Sequence, residues 1–420
     1  MLQFPWQLDS DDEVNFARGV VNFSVISESP HFPGYPGFIL AARFFSLLLT
    51  PVQAIIATST AGVILTAIAL YFALVTRLSP WLALCAVVLV LLHPLSAALA
   101  LSGLSDSLAI GLSFLSLGFL LRAKSCRYLL LAALFSALML TVRPSYFAIA
   151  AALVLIGAGR AASGGRESFF LLWLAVHLLI GALVLLYVLS RDGLGYFSEG
   201  WRFTQGHFLL WGNTAIESGA AQAVSRSEQW RQFFAGIIPL WLWPLLLFGG
   251  FAARKQHGWL WLGLGVVLLW TLLGQNPRNL RHGAWLYYML LMLAGLGWAN
   301  VLDARVTGVA HRQKMMTLAA VLFLMPALLW CFTLSAPRPS ALRQALSMAE
   351  QECTALVTQY GIKVARATSA LPVVDAWYNG SAQWALRQGS CRLSSEPLPQ
   401  ARSFPARFVG EPPFYLKLAP

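Results

Sequence analysis

Apolar residues run along this chain in long stretches, and short polar or basic segments interrupt them at nearly regular intervals. The stretches lie near residues 52–75, 81–97, 105–122, 127–142, 144–159, 168–189, 234–252, 258–274, 286–302 and 315–335. Several are about 17 to 24 residues long, which at about 1.5 Å per helical residue matches a hydrocarbon core near 30 Å. The pattern predicts an all-α polytopic membrane protein with about ten transmembrane helices.

The interruptions fall into two alternating sets. One is short and basic: "TRLS", "RAKSCR", "GRAASGGRES", "ARKQHG" and "DARVTGVAHRQK". The excess of Lys and Arg assigns these to the cytoplasm. The other set holds residues 1–37, "HPLSAALALSGLSDS", "VRPSY", residues 190–233, "NPRNLRHG" and the tail from Pro337, and it faces the outside. An even number of spans then leaves both ends of the chain extracytoplasmic. Nothing in residues 1–8 would carry the acids that follow across a bilayer, so the pattern predicts a further helix ahead of Met1.

The tail has ordinary soluble composition. Leu342, Ala345, Leu346, Ala349, Cys353, Leu356, Val357 and Tyr360 recur at helical spacing from Ser340 to Tyr360. Strand-like runs follow at "IKVARA", "PVVDAW" and "FYLKL", with Asn379-Gly380 as a turn. The expected organisation is therefore an acidic extracytoplasmic loop with interfacial helices (1–50), a transmembrane domain (51–336) and a small α+β extracytoplasmic domain (337–420).

Composition narrows the class further. Hydrophobic residues make up 58% of the 420 residues and charged ones 11%, less than half the share in a soluble domain. The net charge of +12 resides largely in short loops, with no basic block interleaved with stacking aromatics, so no nucleic-acid partner is expected. The 16 Trp and 11 Tyr suit interfacial belts. Five cysteines show neither CxxC nor a His/Cys metal spacing; Cys353 and Cys391 share the tail, where an extracytoplasmic location allows either a bridge or two free thiols.

The opening breaks the apolar pattern. "LDSDDEVNFARG" places Asp9, Asp11, Asp12 and Glu13 within five residues, at the start of an amphipathic helical segment. Acids there suit the first turn of a helix. The next stretch, "SPHFPGYPGF", fixes an irregular loop with three prolines, and it carries two polar tips, His31 and Tyr35. A rigid loop beside carboxylates is a plausible site wall.

The pairing of "DDEVNFARG" with "PHFPGYPGF", followed by many spans and a small outer tail, resembles the GT-C superfamily of membrane glycosyltransferases. The nearest likeness is to the protein O-mannosyltransferase and lipid A aminoarabinose transferase branch, in which a "DE" pair opens the first outer loop before a Pro-rich stretch. Phe32 stands where that stretch usually has proline. "LSGLSDSLAIGLSFLSLGFLLRA" resembles a span with an acid at its outer end, here Asp106, and "RPSY" resembles a turn between spans. The likeness covers about the first 160 residues well and the remainder in outline.

The resemblance implies transfer of a sugar from a polyprenyl-phosphate donor to a lipid, glycan or protein acceptor on the outer face of a bacterial inner membrane. An attacking hydroxyl needs a carboxylate base, and a departing phosphate needs cations. Asp12 is then the base, with Glu13 orienting it or the acceptor, and Asp9 and Asp11 are alternatives should the register differ. Arg143, Arg278 and Arg281 are outer-face arginines available to the donor phosphate. Asp106, near the bilayer edge and costly to keep charged without a partner, is a further site candidate or the partner of an outer-face arginine. Arg202, His207 and Trp211 are weaker candidates for acceptor contacts. No metal is required, although the four acids offer oxygen ligands to a divalent cation. The competing classes are a transporter or flippase of lipid-linked sugars and a polysaccharide polymerase or ligase. A transporter should hold ionisable groups in mid-helix, where only His177 stands out.

Overall fold

The computed structural model describes residues 5–123, 125–160, 166–210, 223–253, 257–305, 338–376, 389–407 and 411–418. Within these, helices dominate. They are α1 (Asp11–Val21), α2 (Pro36–Phe45), α3 (Pro51–Leu74), α4 (Pro80–Leu92), α5 (Pro94–Leu101), α6 (Asp106–Leu121) and α7 (Cys126–Val142), followed by α8 (Phe147–Arg160), α9 (Arg166–Asp192), α10 (Gly195–Gln205), α11 (Ala223–Ile237), α12 (Trp243–Ala253), α13 (Gly258–Gly274) and α14 (Ala284–Arg305).

Local chemistry sets many of the starts. Proline, whose missing N–H costs nothing at the first helical position, opens α2, α3, α4 and α5. Ser10 and Glu13 form a capping box at α1, and Thr50 and Gln53 form another at α3.

Most expected spans have a helical counterpart with ends within a few residues, while the expected count of about ten is not confirmed among the described residues. Three helices among the described residues are long and apolar enough to cross a membrane: Pro51–Leu74, Ser168–Asp192 and Leu280–Val301. A fourth crossing would require α4 and α5 together, which bend by 66°. The bend falls at His93-Pro94, where proline cannot continue the preceding helix. His93 fills the break: Nδ1 accepts from the Leu95 amide at 3.0 Å, and Nε2 lies 2.8 Å from the Ile237 carbonyl oxygen. The other apolar helices run 10–17 residues. The expected span at 234–252 is likewise split, by Pro239 and a 3-10 turn at Leu240–Leu242. The expected span at 315–335 lies outside the described residues. The long helix α9 carries apolar side chains outward, with Leu171, Leu178 and Leu186 all more than 60% exposed. A long apolar face of that kind suits lipid, and the chain is an integral membrane protein.

Small residues set the closest crossings. A Cβ on Gly62 of α3 would meet the Leu108 backbone nitrogen of α6 at 2.3 Å, so only glycine permits this approach. Hydroxyls of α3 then fasten the chain that enters α6: Ser59 donates to the Leu104 carbonyl at 2.7 Å and Thr60 to that of Ala100 at 2.9 Å. Gly37 of α2 allows the same intimacy with Thr141, near the end of α7. These two crossings bring Asp106, Arg143 and the start of α2 together.

The C-terminal unit builds a second core around a helix at Ala341–Glu352 and a five-stranded sheet. The strands β1 (Ala355–Thr358), β2 (Val373–Asp375), β3 (Ser390–Ser394), β4 (Arg402–Phe404) and β5 (Phe414–Leu418) lie in the order β2-β1-β3-β5-β4. β1 is parallel to β2 and β3, while β5 runs antiparallel to β3 and β4. The helix expected to reach Tyr360 stops at Glu352, where the chain turns extended into β1. "IKVARA" is not a strand but part of a helix at Ile362–Thr368. The expected Asn379-Gly380 turn lies outside the described residues. Cys353 and Cys391 are joined as a disulfide with Cα atoms 5.8 Å apart.

Candidate functional site

The opening acids diverge because successive residues of a helix point about 100° apart. Asp9, before the cap, accepts from Arg407 Nη2 of the C-terminal unit at 2.6 Å. Asp11 Oδ1 accepts the backbone N–H groups of Lys363 and Val364 at 2.8 and 3.2 Å, capping the helix Ile362–Thr368. Burial raises the Asp11 carboxyl above its ordinary value, opposed by these two amides and the Lys363 ammonium. Glu13 is 2% exposed and accepts backbone N–H groups of Asp9, Ser10 and Gly103. Its burial, and then the charge of Asp9, push the carboxyl up to about 8, against the pull of those amides. Asp12 alone turns to a different neighbourhood, with its side chain 43% exposed.

There Asp12 Oδ1 lies 3.6 Å from His31 Nδ1, and Oδ2 lies 3.9 Å from Arg281 Nη2. Arg281 reaches onward, its Nε 3.6 Å from Asp106 Oδ2. Asp106, fully buried at the start of α6, pairs with Arg143 Nη1 at 3.1 Å and accepts from the Tyr146 hydroxyl at 3.3 Å. Arg143 donates further to Ser105 Oγ at 3.1 Å and to His282 Nε2 at 3.2 Å. A guanidinium only donates, so His282 Nε2 accepts and its ring proton sits on Nδ1. The result is a chain of alternating charge running Asp12, Arg281, Asp106, Arg143, from a half-open end to a buried one.

The loop between α1 and α2 supplies the other wall. Tyr35 takes a left-handed conformation, φ 49°, directly before Pro36, which a non-glycine residue adopts at a cost of about 1–2 kcal/mol. Its hydroxyl lies 3.2 Å from His31 Nε2. His31 is stacked between Phe16 of α1 and Phe203 of α10, with centroids at 5.8 and 5.6 Å. Burial lowers the His31 pKa below its ordinary value, against the pull of Asp12, and burial pushes the Tyr35 hydroxyl up to about 12. Lys363 holds the loop from outside by bonding Glu28 and, at 2.9 Å, the Asn15 side chain.

Arg143 Nε and His282 Nδ1 are buried here without a hydrogen-bond partner among the described residues, while His31 Nδ1 and Arg281 Nε face carboxylates at 3.6 Å, beyond hydrogen-bond distance. Such atoms are costly in a folded interior unless water or a bound group satisfies them. Among the described residues no three of His, Cys, Asp and Glu converge as metal ligands. The divergence of the four opening acids removes the ligand set that the sequence offered a cation.

Of the residues singled out in the sequence, Asp12, His31, Tyr35, Asp106, Arg143 and Arg281 come together. Asp9, Asp11 and Glu13 instead join the start of α1 to other parts of the chain. Arg278 is 61% exposed and faces Glu396 of the C-terminal unit at 3.5 Å. Arg202 pairs with Glu199 on the surface of α10, and His207 stacks on Phe203. Trp211 lies outside the described residues. Tyr146 and His282 were not among the candidate residues, although His282 directly follows Arg281 and Tyr146 closes the same "RPSY" turn that Arg143 opens. Nothing in the sequence marked Lys363, whose partners lie more than three hundred residues away.

A basic, carboxylate-bearing site at one end of an apolar helical bundle, half-open at Asp12, has the chemistry to hold an anionic group beside a proton acceptor. No family model and no curated protein sequence matches the chain. Among solved structures it is similar to ArnT from Cupriavidus metallidurans in the apo state, with 13% identity and a TM-score of 0.46 over 100% of this chain and 95% of that one. It is similar to the same protein bound to undecaprenyl phosphate, with 13% identity and a TM-score of 0.47 over 99% and 95%. It also resembles the archaeal oligosaccharyltransferase AglB from Archaeoglobus fulgidus in complex with an inhibitory peptide and a dolichol-phosphate. That match has 12% identity and a TM-score of 0.45 over 89% of this chain and 62% of the other. Both proteins are members of the GT-C superfamily.

Proposed function

We propose that the protein is an inverting membrane glycosyltransferase that moves a sugar from a polyprenyl-phosphate donor to a hydroxyl acceptor at the extracytoplasmic face. The observation that carries this reading is the pairing of a half-open carboxylate, Asp12, with a buried, partly unsatisfied arginine cluster. Asp12 accepts the acceptor's proton as its oxygen attacks the anomeric carbon. The bond from that carbon to the phosphate oxygen breaks, and its electron pair leaves with the lipid phosphate. Arg281 neutralises the growing charge, while Asp106 and Arg143 fix its position. His31, held by Tyr35, orients Asp12 from the other side.

The organisation into an acidic opening (1–50), a membrane domain (51–336) and an extracytoplasmic tail (337–420) fits this reading. The Cys353–Cys391 disulfide supports an oxidising compartment for the tail. His177, the mid-helix group a transporter would use, lies with Nδ1 2.8 Å from the Trp173 carbonyl oxygen and Nε2 3.2 Å from the Ser136 hydroxyl, so both its nitrogens are satisfied.

The test gives the purified full chain a panel of polyprenyl-phosphate sugars together with membrane extract. The proposal expects release of polyprenyl phosphate and appearance of sugar in an acceptor fraction. Movement of intact donor across a vesicle membrane without cleavage would overturn it in favour of transport.

A further inference from the structure

At the seam between the helical bundle and the C-terminal unit lies a cavity of about 110 Å³. It is far larger than the roughly 10–15 Å³ a single water requires. Its lining includes Arg281, which also reaches Asp12 at 3.9 Å, so the cavity borders the same guanidinium that contacts the proposed base. Every charge facing the cavity is already engaged. Arg407 binds both Asp9, at 2.6 Å, and Glu411, at 2.9 Å, while Arg281 lies against Asp12 and Asp106.

The remaining polar groups are hydroxyls with unspent capacity. Ser10 and Ser340 accept amide protons from Glu13 and Arg343, at 3.4 and 3.2 Å, which leaves each hydroxyl proton to donate. Ser102 donates to the Leu99 carbonyl at 3.1 Å and keeps its lone pairs. Leu101, Leu342 and Phe414 supply an apolar wall.

We propose that this cavity is the acceptor subsite and that it takes a neutral hydroxyl-bearing group, the end of a sugar or polyol, in preference to an amine or a phosphate. The inference rests on the glycosyl-transfer reading above. A cation or anion entering the cavity would find no unpaired counter-charge to offset its lost hydration. A neutral ring with hydroxyls meets two donors, one acceptor and an apolar face, the balance that sugar recognition requires. The raised pKa of Glu13 is consistent with this, since its carboxyl adds no charge to the lining near neutral pH.

The experiment uses the full chain in detergent with three probes: methyl glucoside, methyl glucosaminide and glucose 6-phosphate. Binding is read by saturation-transfer NMR, and transfer by polyprenyl-phosphate release. Binding and transfer should favour methyl glucoside. Ala98→Phe, which fills the cavity from α5, should raise its KM by at least about tenfold, with slow donor hydrolysis by water unchanged. Ser102→Ala, which removes one hydroxyl and leaves the backbone intact, should raise KM about two- to tenfold. Preference for the amine or the phosphate probe, or an unchanged KM in both variants, overturns the subsite. Absence of donor cleavage with every probe overturns the glycosyl-transfer reading instead, and methyl glucoside binding that Ala98→Phe abolishes would still uphold the cavity as a sugar site.

Discussion

Replacing Asp106 by Asn tests the buried half of the site. Asp106 is fully buried, with Arg143 at 3.1 Å and Arg281 at 3.6 Å. At an effective dielectric near 20, each pairing is worth about 5 kcal/mol of attraction, set against several kcal/mol of lost hydration per ion. Asparagine keeps the shape but removes the charge, and it leaves Arg143 buried without its carboxylate. Breaking one side of a buried pair costs about 3–5 kcal/mol. For a chain of this size that is an apparent melting shift of about 3–6 °C. The assay is thermal unfolding in detergent of Asp106→Asn, Arg143→Met and the double variant. Each single change should destabilise strongly, and the double variant should lose less than the two combined, because the Arg143 charge is removed together with its partner and Arg281 keeps Asp12. If the double variant loses the full combination, the pair is not coupled and the alternating charge chain is wrong.

Removing the disulfide with Cys353→Ser and Cys391→Ser should destabilise the C-terminal unit by about 4 kcal/mol, the loop-closure value for a separation of 38 residues. Limited proteolysis checks it, and unchanged protection of residues 338–418 would refute it. Lys363→Met should loosen the loop that carries Glu28 and His31 and lower kcat, with Lys363→Arg restoring most of it, whereas equal rates in the two variants would contradict a role in holding the loop. Glu13 keeps a proton in the folded chain up to about pH 8, against 4.5 for the ordinary carboxyl. Its contribution to stability is therefore full at low pH and declines as pH rises through that window. The wild-type melting point should fall between about pH 5 and 8, and Glu13→Gln should flatten that slope. A wild-type curve already flat there would count against it.

Much of the helical framework was legible in the sequence because its signals are local. Proline at the first helical position and Ser or Thr caps mark the starts of α1, α3, α4 and α5, and apolar run length marks most of the bodies. What failed was continuity. Run length does not reveal that Pro94 bends a crossing by 66° or that Pro239 divides another. The helix Ile362–Thr368 escaped because its Ile and Val read as strand, while its N-terminal amides are capped by Asp11 from the other end of the chain. The site was half legible. Four clustered acids announced chemistry, but which of them faces it depends on helix rotation, and three proved to be caps and anchors. The outer-face arginines behaved similarly: Arg143 and Arg281 entered the cluster through the crossings at Gly37 and before α14, while Arg278, three residues from Arg281, stayed at the surface.

The central claim is that Asp12 accepts the acceptor's proton, and Asp12→Asn tests it most directly. The side chain is 43% exposed and supports no core, so the variant should fold with the wild-type melting point. In a single-turnover assay with a polyprenyl-phosphate sugar that the wild type uses, donor binding should be unchanged and the transfer rate should fall by about 10²–10⁴-fold. Transfer at the wild-type rate by well-folded Asp12→Asn would contradict the account.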